Sequence, residues 1–264
     1  MVPHKVIDHI VGWLRNYADK TDRSGFVVGV SGGIDSAVTS TLCAHTGYEV
    51  TTLSMPIYQE QGQLALAHQH MNWLDSNFEK INKEEIELTP VFQSMENNFP
   101  KSIKNELTMA NTRSRLRMLT LYAYASSEKK LVVGTGNKIE DYGVGFYTKY
   151  GDGGVDLSPI ADLTKTEIYK VSEELGIINA IKVAAPTDGL WDDNRTDETQ
   201  LGASYEELEW AMAFENGELD DSVSEESMTE IQLGALSCYR KQHNANRHKM
   251  DAIPVCTIPH QLKE

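Results

Sequence analysis

The chain has 264 residues and, with Asp+Glu 39 against Lys+Arg 24, a formal net charge of −15. That length allows one large domain, or a domain with additions, around a substantial core, and so acidic a balance disfavours a nucleic-acid backbone as partner while leaving room for a local basic pocket. No apolar run is long enough to cross a bilayer, the first residues lack the apolar core of a signal peptide, and Cys43, Cys238 and Cys256 lie far apart without a C-x-x-C, which fits a reduced, cytoplasmic protein.

Apolar residues three and four apart over 6–17 predict a first amphipathic helix. Residues 26–30 then read as a short buried strand, which Ser31-Gly32-Gly33 breaks, and a helix continues from Asp35. Strand, small-residue turn and helix N-terminus together expose backbone N–H groups to an anion. The turn is neither a Walker A loop, because no lysine follows its glycines, nor a G-x-G-x-x-G fingerprint. Instead Asp35 and two hydroxyls, Ser31 and Ser36, flank the glycines. A carboxylate beside a phosphate cradle needs a cation between them, and Mg²⁺ takes one or two carboxylates together with phosphate oxygens. The alternative is an ordinary strand-to-helix turn with Asp35 as a first-turn acid.

A second strand is predicted over 48–56, stopped by Pro56, then a helix over 59–77, a third strand over 85–88 before Pro90, a long helix over 102–126 and a fourth, continuously apolar strand over 131–135. Strands alternating with helices call for an α/β fold: a doubly wound, mostly parallel sheet flanked by helices. Ligands of such sheets sit outside the carboxyl ends of the strands, where SGGIDS and Gly134-Thr135-Gly136 both fall. The glycine- and aromatic-rich stretch 142–154 reads either as an ordered binding loop or as an irregular connection. A helix starting at Thr164 and ending at Gly176 follows, then a polar, acidic stretch over 191–202 that reads as a mobile loop. An acidic connection over 215–230 leads to a last helix carrying Arg240, Lys241, Arg247, His248 and Lys249.

Several residues beyond the first turn bear on chemistry. Arg113, Arg115 and Arg117 fan around one helix, so at most two can face one cleft, and Arg113 is read as solvated. Glu140 follows the fourth strand on the same sheet edge as Asp35, and two converging carboxylates would make an oxygen-rich Mg²⁺ site; by itself Glu140 is an ordinary helix-start acid. Lys149 and Asp156 bracket a loop able to hold a small polar ligand. Lys165 stands at a helix start, where the dipole disfavours a cation unless an anion lies nearby.

SGGIDSA at 31–37 resembles the pyrophosphate loop of the N-type ATP pyrophosphatases, a group that adenylates a substrate and releases pyrophosphate. Together with Asn111-Thr-Arg-Ser-Arg-Leu-Arg-Met, Gly134-Thr-Gly-Asn-Lys-Ile-Glu140, the segment 145–165 with its F-x-T-K-Y-G-D-G-G-x-D-L-x-P, Pro186-Thr187 and Arg247-His248-Lys249, it is similar to NAD synthetase over nearly the whole chain. The resemblance implies a Rossmann-like fold of the adenine nucleotide alpha hydrolase type, a single domain over 1–264 without the glutaminase domain of some family members, and a homodimer. It implies that Gly29, Val30, Ser31, Gly32, Gly33, Ile34, Asp35 and Ser36 cradle ATP phosphates, with Thr135, Lys165 and Thr187 also on ATP. Asp35 and Glu140 would hold Mg²⁺, and Arg115, Lys149, Asp156, His248 and Lys249 would hold deamido-NAD. Two departures stand out: the commoner family text has Asp-His where this chain has Gly136-Asn137, and one more residue lies between Glu140 and Gly145.

The implied reaction amidates deamido-NAD with ammonia, from solution or a separate protein, to give NAD. A carboxylate does not react with ammonia directly, so attack on the α-phosphorus of ATP first makes an acyl-adenylate and releases pyrophosphate; ammonia then displaces AMP. Mg²⁺, the helix N-terminus and Lys165 would screen the accumulating charge, with Asp156 as the candidate proton acceptor. The rivals are another amidating or thiolating pyrophosphatase, and a non-catalytic nucleotide-binding module of the same fold.

Overall fold

A computed structural model describes residues 1–187, 190, 196–220 and 222–263. Its centre is a four-stranded parallel sheet in the order β3-β2-β1-β4. The strands are β1 (Gly25–Gly29), β2 (Glu49–Ser54), β3 (Ile81–Glu85) and β4 (Leu131–Val133). From β1 the chain winds outward to β2 and β3 through α2 (Ile34–His45) and α3 (Gln61–Asn77). It then returns through α4 (Thr89–Asn98) and α5 (Glu106–Glu128) to lay β4 against the other side of β1, with Phe26 opposite Leu131 and Val28 opposite Val133. The winding direction therefore reverses between β1 and β4, which is where an open α/β sheet forms its ligand crevice.

Alternation along β1 builds both cores. Phe26 and Val28 point into one layer, with Leu14 of α1 (Pro3–Thr21), Ala37 and Leu42 of α2 and Ile168 of α6 (Lys165–Glu174). Val27 points into the other, with Phe92 of α4 and Leu116 and Leu121 of α5. Fully burying side chains of this size contributes about 1.5–3 kcal/mol each, so the strand that carries the glycine turn is fixed from both faces. After α7 (Asn179–Lys182) and α8 (Asp197–Leu201), a third cluster joins α9 (Tyr205–Glu215) and α10 (Glu230–Met250) to a π-helical turn, Ile139–Val144, through Ile139, Val144, Leu208 and Leu236.

The fold class is the expected one, with local corrections. The third strand lies four residues earlier than 85–88, because β3 is an edge strand of Ile-Asn-Lys-Glu-Glu, nearly all exposed, that pairs by its backbone and carries no apolar alternation. Pro90 does not close a strand; it stands in the first turn of α4, where its missing N–H has no helical partner to lose. The long helix begins at Glu106, capped by Asn105, rather than at 102. Within the stretch read as a mobile loop over 191–202, Asp197–Leu201 form a helical turn, capped by Thr196 and ended by Gly202 at φ 86°, while residues 191–195 lie outside the described residues. Among the described residues no helix is long and apolar enough to cross a membrane.

Candidate active site

The carboxyl ends of β1 and β4 open into a cleft of about 280 Å³. Residues 29–36, Thr135, Glu140, Lys165 and Thr187 all line it. Gly32 makes the turn at φ 91°, and a Cβ there would come within 2.6 Å of the Gln63 carbonyl oxygen, so only glycine fits. The Ser36 hydroxyl donates to Gly33 O at 2.9 Å and lies 3.1 Å from Ser31 Oγ, while Ser31 N–H donates to Ser36 Oγ at 3.2 Å. These bonds hold the turn closed on itself. Gly33 supplies no side-chain cap to α2, leaving the opening N–H groups of that helix for an anion.

Asp35, Glu140 and Lys165 meet in this cleft. Lys165 Nζ donates to Asp35 Oδ2 and, at 3.3 Å, to Glu140 Oε1, and it stands 4.6 Å from the centre of the Tyr205 ring. Burial opposes the charge on Lys165, but Asp35 and Glu140 outweigh it and hold the ammonium's pKa above its ordinary value. Burial pushes the Asp35 carboxyl up to about 6, against the pull of Lys165. Its other oxygen, Oδ1, is buried, and the side-chain amide of Asn137 also pulls the carboxyl's pKa down. Thus the anion that offsets a lysine at a helix start is the carboxylate pair itself. Glu140 also accepts from Tyr205 O–H at 2.5 Å, and that hydroxyl lies 3.3 Å from Asp197 Oδ2.

The residues tied to deamido-NAD by resemblance do not line the cleft; Lys149, His248 and Lys249 meet where the glycine-rich loop packs on α10, with Arg115 against Lys149, while Asp156 lies apart. Lys149 Nζ donates to His248 O at 2.9 Å, Lys249 Nζ to Gly145 O and Tyr147 O, and Arg115 Nε to Lys149 O at 3.2 Å. These bonds tie the loop down, and Gly151 has no room for a side chain: a Cβ there would lie 2.1 Å from Ser114 Oγ and 2.9 Å from Thr148 Cβ. Asp156 accepts from Val132 N–H at 2.8 Å and from Tyr122 O–H at 3.0 Å, joining the loop to β4. Arg113 corrects the solvated reading, for it is buried, stacks over Phe92 and Tyr58 and donates to Leu190 O at 2.7 Å.

Of the three arginines on the long helix, Arg117 is the one that lines the cleft, and sequence reasoning missed Asp141 and Asp152, which also line it, and Tyr205. Asp152 accepts from Ser114 O–H at 2.5 Å and from Thr148 N–H at 3.1 Å, and desolvation of its carboxyl is the chief cause that raises its pKa. Asp141 had a local signal as the neighbour of Glu140 and Asp152 as the acid inside the loop that Lys149 and Asp156 bracket, whereas Tyr205 had none.

Behind the turn, Ser40 Oγ donates to Ser36 O at 2.7 Å and lies 2.9 Å from Nε2 of His70, a fully buried ring stacked on Trp73. Burial lowers His70 from 6.5 to about 4. An unfolded chain takes up this proton near 6.5 and the folded one only near about 4, so between those values the unfolded state binds more protons and stability falls as pH falls. Asp35 and Asp141, both raised, give the opposite slope. The His70 share is therefore read as a difference: in urea titrations at pH 7 and pH 4 the wild type is expected to lose roughly 3 kcal/mol more than His70→Gln.

The sequence profile of NAD synthase matches residues 6–252. A Methanosarcina acetivorans protein named NH(3)-dependent NAD(+) synthetase is 34% identical over 253 residues, which cover 95% of this chain and 97% of that protein. A solved structure of NMN synthetase from Francisella tularensis superposes with a TM-score of 0.85 at 30% identity, covering 98% of this chain and 100% of that one. An NH3-dependent NAD synthetase from Campylobacter jejuni, solved with a nitrate ion, shares the fold with a TM-score of 0.76 at 23% identity, over 97% of this chain and 100% of that chain.

Proposed function

This chain belongs to the NAD synthase family, and from that premise we infer that it is a C–N-bond-forming ligase that amidates deamido-NAD with ammonia, using ATP, in the final step of NAD biosynthesis. The observation that carries the reading is the meeting of the uncapped α2 N-terminus with Asp35, Glu140 and Lys165 in one cleft. A simple nucleotide-binding module needs the N-terminus but not two converging carboxylates. We take the nitrogen source to be free ammonia, because the M. acetivorans relative named for it is matched over 97% of its length.

Asp35 and Glu140 would hold Mg²⁺, and the fit rests on the donor set, two carboxylates that converge in the cleft beside the α2 N-terminus. When bound, the ion neutralises charge on the phosphate oxygens. In this reading the turn 29–36 and the first N–H groups of α2 bind the triphosphate. Lys165 draws the Asp35 and Glu140 carboxylates together, and Thr135 and Thr187 complete the ATP pocket. Attack by the nicotinate carboxylate on the α-phosphorus forms the acyl-adenylate and releases pyrophosphate; ammonia then attacks the acyl carbon, AMP leaves, and one proton is lost from nitrogen. Lys149, Arg115, Asp156, His248 and Lys249 belong to the proposal as the outer wall for the dinucleotide, and a homodimer, read by light scattering, belongs to it as well.

One observation favours a second reading: the NMN synthetase fold matches more closely, at a TM-score of 0.85 against 0.76. The same chemistry on the mononucleotide acid would give NMN. Purified protein with ATP, Mg²⁺, ammonium and deamido-NAD is expected to release NAD, AMP and pyrophosphate in equal amounts, and far less when glutamine replaces ammonium. Faster turnover of nicotinate mononucleotide than of deamido-NAD would move the assignment to the second reading. ATP binding without AMP or pyrophosphate release on either acid would leave only a binding module.

A further inference from the structure

Two residues one turn apart on α9, Tyr205 and Glu209, grip the start of α6. Four positions apart, they lie on the same face of their helix. Glu209 Oε1 accepts from Thr166 N–H at 2.9 Å and Glu209 Oε2 from Thr166 O–H at 2.6 Å. A helix leaves its first N–H groups without internal partners. Here the capping box of Thr164 and Glu167 satisfies one of them and Glu209 another. Lys165, between Thr164 and Thr166, is thereby fixed from both sides. The buried ring of Tyr205 then stands over the Lys165 ammonium, where the negative face of an aromatic ring favours a cation.

The hydroxyl end of the same ring meets the acid. Tyr205 O–H donates to Glu140 Oε1 at 2.5 Å, and that oxygen also receives Lys165 at 3.3 Å. Both donors fall on one oxygen, and among the described residues Oε2 receives none. The tyrosine is anchored toward the far side of the cleft as well. Its N–H donates to Glu198 Oε1 at 3.0 Å, and Asp197 N–H donates to Pro186 O at 3.1 Å, beside Thr187. A glutamate side chain loses rotamer freedom when it is ordered. A carboxylate already held by one oxygen loses less when its other oxygen takes a ligand, which is how partners behind a metal ligand raise affinity.

We propose that Tyr205 is a positioning residue for the ATP site: its hydroxyl holds Glu140 by Oε1 and so offers Oε2 to the divalent cation. The proposal rests on the Mg²⁺ reading above. The ring and the hydroxyl have separate tasks, one on Lys165 and one on Glu140, and Tyr205→Phe removes only the second.

The test titrates Mn²⁺, read by electron paramagnetic resonance, against the full chain saturated with α,β-methylene ATP. Tyr205→Phe is expected to weaken Mn²⁺ roughly 10-fold or more. In steady-state assays its turnover is expected to fall at low Mg²⁺ and to recover as Mg²⁺ is raised, with KM for deamido-NAD unchanged. Leu236→Ala, which opens a cavity in the core that α9 shares with α10, is the control for loosened packing. It is expected to lower the melting temperature more than Tyr205→Phe does and to leave Mn²⁺ affinity near that of the wild type. Unchanged Mn²⁺ affinity in Tyr205→Phe, an equal loss in Leu236→Ala, or a turnover deficit that Mg²⁺ does not relieve overturns the proposal. Glu140→Gln separates the two levels: if it loses Mn²⁺ while Tyr205→Phe does not, only this proposal fails, and if neither loses it, the metal reading fails with it.

Discussion

Asp35→Ala is expected to lower AMP release by roughly 10³-fold or more while the protein stays folded. Asp35 stands where the phosphate-binding turn meets Lys165, which also pairs with Glu140. Removing it takes away one of the two carboxylates proposed to hold the cation. The change does not leave Lys165 alone, because Glu140 remains 3.3 Å from its ammonium, and it removes a carboxyl whose burial is itself unfavourable. Circular dichroism and thermal unfolding are therefore expected to change little. Normal turnover by this variant would refute the assignment of Asp35.

Lys165→Met reverses that balance. The lysine is almost wholly buried between Asp35 and Glu140, and methionine fills similar space without charge. Two buried carboxylates would face each other with their shared cation gone, and breaking a buried pair in this way costs about 3–5 kcal/mol. Turnover is expected to fall with stability. Millimolar Mg²⁺ is expected to raise the melting temperature of Lys165→Met more than that of the wild type, because an added cation takes over the neutralisation. Equal Mg²⁺ effects on the two proteins would show that Asp35 and Glu140 do not form a cation site.

What was legible in the chain follows from how locally each feature is encoded. The run from Phe26 to Ser36 declares itself because a strand buried on both faces must be continuously apolar and a turn at φ 91° must be glycine. Lys165 was visible as a cation at a helix start, an arrangement that needs an anion. By contrast β3 has no side-chain signature, since an exposed edge strand is specified by its backbone pairing with β2. Pro90 reads equally well as the end of a strand or the beginning of a helix, and α4 uses the second meaning. Tyr205 reaches Glu140 across 65 positions of chain, a contact that no local pattern encodes. Arg113 was misread because the rings that receive it, Tyr58 and Phe92, also lie far away in sequence.

The central claim is that the cleft adenylates a carboxylate before ammonia enters. Turnover of deamido-NAD carrying ¹⁸O in both carboxylate oxygens, followed by mass spectrometry of the released AMP, tests it directly. Attack by that carboxylate on the α-phosphorus places one labelled oxygen in each AMP. AMP that leaves without label, or label that appears in pyrophosphate or phosphate instead, would contradict the account.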